Sequence, residues 1–235
     1  MTKKLWTYSE VKEKIQSEMD TQEETFVDDS EYLDYTNEAI DECEAEIHSL
    51  YQDYFITSGL IAIVAGEETS DLPADIYANK IRHFQFKSAN KKYEIKRIKN
   101  KDKKFVEDSS SDPVYRYDIE NSLAAGPKIT WYPEPTVSDA TSAKMYYIRN
   151  AKRVVELTDV IDIPEFIQFI FCYIRVKIAR KETNPLLMDY KDELDRQRIL
   201  MREVLDEMIP DEDDNIDPDL SFYNDFDSGD DYGCY

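Results

Sequence analysis

Residues 162–181 read DIPEFIQFIFCYIRVKIARK, Asp162 to Lys181. Phe166, Ile167, Phe169, Ile170, Phe171, Tyr173, Ile174, Val176 and Ile178 leave almost no polar face. A helix built from this stretch must therefore be covered by neighbours around its circumference. Asp162 with Glu165 three residues on reads as an N-cap, and Pro164 sits where no intrahelical N–H is lost. Arg175, Lys177, Arg180 and Lys181 gather at the far end, where cations complement the helix dipole. Asn184-Pro185 stops the run.

The covering helices lie at both ends of the chain. Leu187, Leu194, Met201 and Met208 recur every seven residues, with Tyr190, Val204 and Leu205 beside them, and predict a helix over roughly 186–209. Thr7-x-x-Glu10 caps a short helix with Tyr8, Val11, Ile15 and Met19 on one face. Asp28-x-x-Glu31 opens a longer one, with Leu33, Ile40, Ile47 and Tyr54 seven apart and Cys43, Leu50 and Tyr51 on the same face. Its opposite face carries Glu38, Asp41, Glu42 and Glu46.

Between these helices the period shortens. Ile56–Val64 is a short apolar run ended by Gly66. Leu72-Pro73-Ala74-Asp75 leads into Ile76–Phe86, which reads as extended, with helix the other reading for its first half. Lys92–Ile98 alternates, and Asn100-Lys101-Asp102 turns the chain towards Phe105, which reads as a hairpin with a basic tip. Tyr115 with Tyr117, Ile129 with Trp131, and Met145 with Tyr147 mark further strands, punctuated by Pro127, Pro133 and Pro135. The fold class is α+β: a helical bundle with an inserted, mainly antiparallel β-sheet domain and an extended acidic C-terminal tail. The division is 6–56 for the first helices, 57–160 for the β domain with its basic hairpin at 87–107, 161–209 for the helices completing the bundle, and 210–235 for the tail.

Composition narrows the function classes. The 235 residues hold 51 Asp and Glu against 29 Lys and Arg, a formal charge of -22, which opposes gripping DNA. Five glycines argue against Gly-rich phosphate loops. Two histidines and three cysteines lack ligand spacing for zinc, and the cysteines read as free thiols in a reducing compartment. No stretch approaches membrane-spanning length and no signal peptide opens the chain, so it is expected to be made and used without crossing a membrane. No cofactor is expected. Seventeen tyrosines suit subunit interfaces, where one end of a ring is packed and the other wet. Composition leans towards an assembly component over a catalyst.

Several segments resemble the neck adaptor (head completion) proteins of tailed bacteriophages. They are Phe26-Val27-Asp28-Asp29-Ser30-Glu31 continuing through Asn37-Glu38-Ala39-Ile40, and Leu72-Pro73-Ala74-Asp75-Ile76-Tyr77. Then come Ile129-Thr130-Trp131-Tyr132-Pro133-Glu134-Pro135, Met145-Tyr146-Tyr147-Ile148-Arg149-Asn150, and Asp159-Val160-Ile161-Asp162-Ile163-Pro164-Glu165. They stand in the family's order over about residues 6–209. The resemblance implies a non-enzymatic ring subunit, normally in twelve copies, between the portal ring and the tail or nozzle proteins. Such a ring extends the channel through which genomic DNA passes without sequence-specific binding. It implies a place in the virion neck after assembly in the host cytoplasm, and a C-terminal region that reaches the portal. The alternative is an acidic intracellular binding or regulatory protein, or a nucleic-acid mimic, unrelated to virions.

Three groups of residues are candidates for contact. Glu38, Asp41, Glu42 and Glu46 form an acidic stripe, solvated or facing the channel, with a subunit contact as the other reading and no Glu-x-x-His to suggest metal. Lys91, Lys92, Lys96, Arg97, Lys99, Lys101, Lys103 and Lys104 make a basic cluster that is a solvated hairpin, a contact for an acidic partner, or a DNA contact. Phe222, Tyr223, Phe226, Tyr232 and Tyr235 thread aromatics through a segment with ten acids and no base, the composition of a docking peptide for the portal. Asp211, Asp213, Asn215 and Asp217 alternate like a calcium loop, but Ile216 stands where the sharp turn needs Gly and Phe222 where it needs Glu.

Overall fold

The computed structural model describes residues 4–19, 26–88, 91–99, 115–122, 126–136 and 138–209. Two reciprocal capping boxes start the first helices. Before α1 (Tyr8–Met19), the Thr7 N–H donates to Glu10 at 3.0 Å and the Glu10 N–H donates to Thr7 Oγ1 at 3.3 Å. Before α2 (Asp29–Leu50), the Asp28 N–H donates to Glu31 at 3.0 Å and the Glu31 N–H to Asp28 at 2.9 Å. Each box satisfies donors that a helix start otherwise leaves orphaned.

The nearly all-apolar stretch forms α3 (Ile167–Lys181), which buries Ile167, Phe169, Ile170, Phe171, Cys172, Ile174, Val176, Ile178 and Ala179. It packs against α1, α2 and the long last helix α4 (Leu187–Met208). Val11, Ile15, Tyr32, Ala39, Ile40, Cys43, Ile47, Leu194, Met201 and Leu205 supply the surrounding wall. Each large side chain so enclosed contributes about 1.5–3 kcal/mol of apolar burial. In the expected seven-residue stripe of α2, Ile40 and Ile47 are buried and Leu33 packs against the same core, but the helix ends at Leu50, which is exposed. Tyr54 lies beyond it in a 3-10 turn, Gln52–Phe55.

Among the described residues, eight strands follow the turn. They are β1 (Ile56–Ile63), β2 (Thr69–Asp71), β3 (Ile76–Ser88), β4 (Lys91–Glu94), β5 (Lys96–Arg97), β6 (Arg116–Ser122), β7 (Gly126–Tyr132) and β8 (Asp139–Arg149). One sheet was expected; the strands divide into two, ordered β1-β8-β3-β4 and β2-β7-β6-β5. All neighbours are antiparallel except β5 and β6. Two sheets form because both have an apolar face to bury: Ile61, Ile63, Phe84, Ala143, Met145 and Tyr147 of the first meet Tyr117, Ile129 and Trp131 of the second. Phe84 sits 5.6 Å from Trp131 and 5.4 Å from Tyr117, ring centre to ring centre. The Trp131 indole N–H is satisfied by Ser70 Oγ at 2.9 Å, and Ser70 in turn donates to the Ala62 carbonyl at 2.8 Å.

The chain crosses between sheets at Ile95, whose N–H still donates to the Phe84 carbonyl at 2.8 Å. The observed hairpin is β3–β4, with Ser88 opposite Lys91. The turn expected at Asn100–Asp102 lies outside the described residues.

The sandwich is fixed to the bundle through the ends of β3 and β8. Asp162 does not cap a helix: α3 is entered through a 3-10 turn, Pro164–Phe166, whose cap has no side-chain bond. Its carboxylate instead pairs with the Arg149 guanidinium through both oxygens and accepts the Lys152 N–H at 2.9 Å. Glu165 accepts from the Tyr54 hydroxyl at 2.5 Å. Asp75 accepts from the Tyr147 hydroxyl at 2.9 Å, while its carbonyl accepts the Asn150 N–H at 2.7 Å. On β3 the ladder to β8 is interrupted between Ile76 and Ile81, where Ala78 (φ 47°) and Asn79 (φ 57°) are left-handed. That kink accompanies the stacking of Tyr77 on His48, ring centres 3.6 Å apart.

Two stability predictions follow from this arrangement. Phe169→Ala should cost about 3–5 kcal/mol in chemical denaturation, and Phe169→Asp should abolish cooperative unfolding by burying an unpaired charge. At the junction, Asp162→Ala should cost about 1–3 kcal/mol because Arg149 and the Lys152 N–H lose their acceptor, whereas breaking the exposed Glu42–Arg198 pair should cost at most about 1 kcal/mol.

Candidate functional surfaces

The acidic stripe of α2 is not bare. Glu38 pairs with Lys177 of α3 at 2.5 Å, Asp41 with Arg153 at 2.6 Å, Glu42 with Arg198 of α4 at 3.8 Å, and Glu46 with Arg202 of α4. Nearer the helix start, Glu31 holds Lys181 at 2.5 Å. The stripe therefore meets cations from both neighbouring helices and from the segment after β8. These pairs offset the like-charge cost of carboxylates four residues apart. One signal for them was present in the sequence: Glu42 and Glu46 are spaced four apart, as are Arg198 and Arg202.

These bonds set the ionisation of the surface. Lys177 is raised above its ordinary value, chiefly by the Glu38 bond, and Arg202 by Glu46. Glu31 is lowered, first by Lys181 and then by the Asp28 N–H; Asp28 is lowered by the Ser30 hydroxyl and the Glu31 N–H.

His48 is buried, 4% exposed. Its Nε2 lies 3.3 Å from Glu44, which also accepts the Ala151 N–H at 2.8 Å. Burial raises the pKa of the Cys43 and Cys172 thiols, so both are held protonated and unreactive. Among the described residues, no group of three or more His, Cys, Asp and Glu could hold a metal, and no helix is long and apolar enough to cross a membrane.

Of the basic cluster, Lys96, Arg97 and Lys99 are exposed at the β5 edge. Lys96 reaches Glu94 at 3.5 Å and Arg97 reaches Asp118 at 3.1 Å. Lys91 and Lys92 belong to β4, opposite Ser88 and Lys87 of β3. Lys101, Lys103 and Lys104 lie outside the described residues, as do Phe222, Tyr223, Phe226, Tyr232 and Tyr235.

Sequence reading missed the exposed apolar surfaces. Val155 (74% exposed), Leu157 and Val160 are exposed on the segment after β8, which bonds to the start of α1 through Tyr8 N–H to Asp159 O at 2.8 Å, and Leu5 is exposed just before that helix. Met188, Ile199 and Leu200 are exposed on α4, and Ile56, Leu60 and Val64 on and just beyond β1. Periodicity alone assigns an apolar residue to a core; only the neighbours decide whether one is there.

The family model described as SU10 adaptor protein matches residues 6–215. No curated protein matches the chain.

The ionisation directions fix a pH response. A lowered carboxyl contributes stability above its unfolded value, and that contribution is lost as pH falls through the folded value. Glu31 and Asp28 (ordinary values 4.5 and 3.8) should therefore destabilise the fold on acidification below that range. The raised Lys177 and Lys181 contribute below 10.5 and lose their contribution as pH climbs through their folded values. Thermal denaturation across pH should show Glu31→Gln flattening the acid limb and weakening the alkaline one, since it removes the partner of Lys181.

Proposed function

We propose that this chain, which belongs to the SU10 adaptor protein family, closes with further copies of itself into a twelve-membered ring through which DNA passes between portal and tail. The joining role is the family's own: the chain is a structural component of the virion neck, linking capsid and tail. The observation that carries the reading is the extent of the match, which takes in the helical bundle, both sheets and the junction between them. No observation favours the acidic regulator or nucleic-acid mimic. A mimic needs free carboxylates at phosphate-like positions, and the α2 stripe is tied to bases of its own chain.

In the ring, Glu38, Asp41, Glu42 and Glu46 front the channel as ion pairs. Such a wall offers passing phosphates neither a strong repulsive field nor unpartnered cations to grip them, and symmetry repeats it around the lumen. The basic run from Lys91 to Lys104, with Lys96, Arg97 and Lys99 exposed on the sandwich, meets an acidic surface of a tail or nozzle protein. The aromatics Phe222, Tyr223, Phe226, Tyr232 and Tyr235 dock on the portal. They lie beyond the matched segment, so their support is composition: rings to fill pockets and carboxylates to meet basic residues. Assembly takes place in the host cytoplasm.

Mixing the full chain with portal and counting subunits by mass photometry and negative-stain imaging tests the ring; chains bound singly to portal, with no closed ring, would overturn it. Removing residues 211–235 should leave the circular dichroism of the body intact and weaken portal binding. Replacing Phe222, Tyr223 and Phe226 with Ser should do much of the same damage at unchanged net charge. Equal portal affinity for the shortened chain would refute the docking role. A ring structure with the α2 acids on its outside would reject their channel placement alone.

A further inference from the structure

The two sheets leave several strand edges open, and one differs from the rest. β4 reads Lys91-Lys92-Tyr93-Glu94 and β5 is Lys96-Arg97. β2 is three residues long and ends in Asp71. The part of β3 beyond β4 carries Lys80 and Arg82 and is broken by the left-handed Ala78 and Asn79. The part of β6 beyond β5 begins Asp118-Ile119-Glu120. These are the usual devices that keep an exposed edge from pairing: charge, shortness and irregularity.

β1 has none of them over Ile56–Ile61. It pairs with β8 on one side only. Its far end is closed where Ser70 bonds the Ala62 carbonyl, but before that point no strand lies on its outer side among the described residues. The alternate residues Ile56, Ser58 and Leu60 are exposed, Leu60 by 57%, while Ile61 and Ile63 face the sandwich core. It lies within Tyr54–Gly66, the longest run without Asp, Glu, Lys or Arg in the chain.

We propose that the open edge of β1 is covered by a second copy of this chain, whose neighbouring extended segment adds a strand to the first sheet. The proposal rests on the ring reading above and names one of its contact surfaces. The argument for a second copy is electrostatic. Each chain carries -22, so copies repel wherever acidic surfaces meet, and they approach at least cost where neither charge nor its hydration must be removed. β1 offers such a surface together with unpaired backbone donors and acceptors, the two elements of strand addition. Contacts in a closed ring are heterologous, so the segment added to β1 is not the neighbour's own β1.

The test is carried out on the full chain assembled with portal. A photo-crosslinking benzoylphenylalanine replaces Leu60, and the adducts are identified by mass spectrometry. The expected product is two copies of this chain joined through position 60. In parallel, amide exchange at 56–61 should slow on the order of 100-fold between free chain and ring. Leu60→Lys should lower ring yield by about tenfold or more through a charge at the contact, with unchanged circular dichroism, while Leu60→Val keeps the yield. A ring whose 56–61 amides exchange as in the free chain, or an adduct only to portal, overturns the edge pairing and leaves the ring reading standing. Chains that bind portal without any ring overturn both.

Discussion

The structure depends on the solvent intolerance of α3. A helix with nine buried residues among Ile167–Lys181 has no stable place at a surface, and α1, α2 and α4 are arranged to enclose it. Arg175, Lys177 and Lys181 are only partly buried, and their charges emerge at the margins of that enclosure. There they meet Glu18 of α1 and Glu38 and Glu31 of α2. Apolar burial sets which helices touch, and the ion pairs around it distinguish one angular setting of those helices from another.

Local signals were legible in the sequence and remote ones were not. Thr7 with Glu10 and Asp28 with Glu31 form their boxes because the competition is settled within four residues. Asp162-x-x-Glu165 has the same spacing and does something else, since Arg149, 13 residues away, claims Asp162 and Tyr54, 111 residues away, claims Glu165. The same distinction explains the α2 stripe. Its acids were readable as a face; their partners stand 112 residues off at Arg153 and 156 at Arg202. Strand positions around Trp131 and Met145 were evident from alternation, but alternation does not say how many sheets the strands make. Of the surface candidates, Lys96, Arg97 and Lys99 fall in described residues at a sheet edge, whereas the aromatic run from Phe222 to Tyr235 lies outside them.

Charge and apolar exposure are distributed unequally for a reason that assembly supplies. The carboxylates of α2 are balanced within the chain, which lets a strongly acidic protein present a locally mild surface. Exposed apolar side chains stand on the β1 edge, on α4 and on the segment after β8. A free subunit has no use for such patches; a component that joins a capsid to a tail must be covered on several sides at once.

The attachment of the sandwich also determines how it carries force. Among the described residues the ties to the bundle run through the first sheet: β1 continues directly from the Gln52–Phe55 turn, Arg82 of β3 bonds Asp53, Tyr77 stacks on His48, and Arg149 of β8 pairs with Asp162. None of the buried residues of β2, β5, β6 or β7 belongs to the bundle's core cluster. The second sheet is thus cantilevered: a pull on it is transmitted through the packed Phe84–Trp131 layer into the first sheet and only then into the helices. Under load the weakest plane is the apolar interface between the sheets, which resists compression and shear by packing but has few hydrogen bonds to resist peeling. A tail component gripping the outer sheet would bear on a compliant arm, while the bundle at its root stayed fixed.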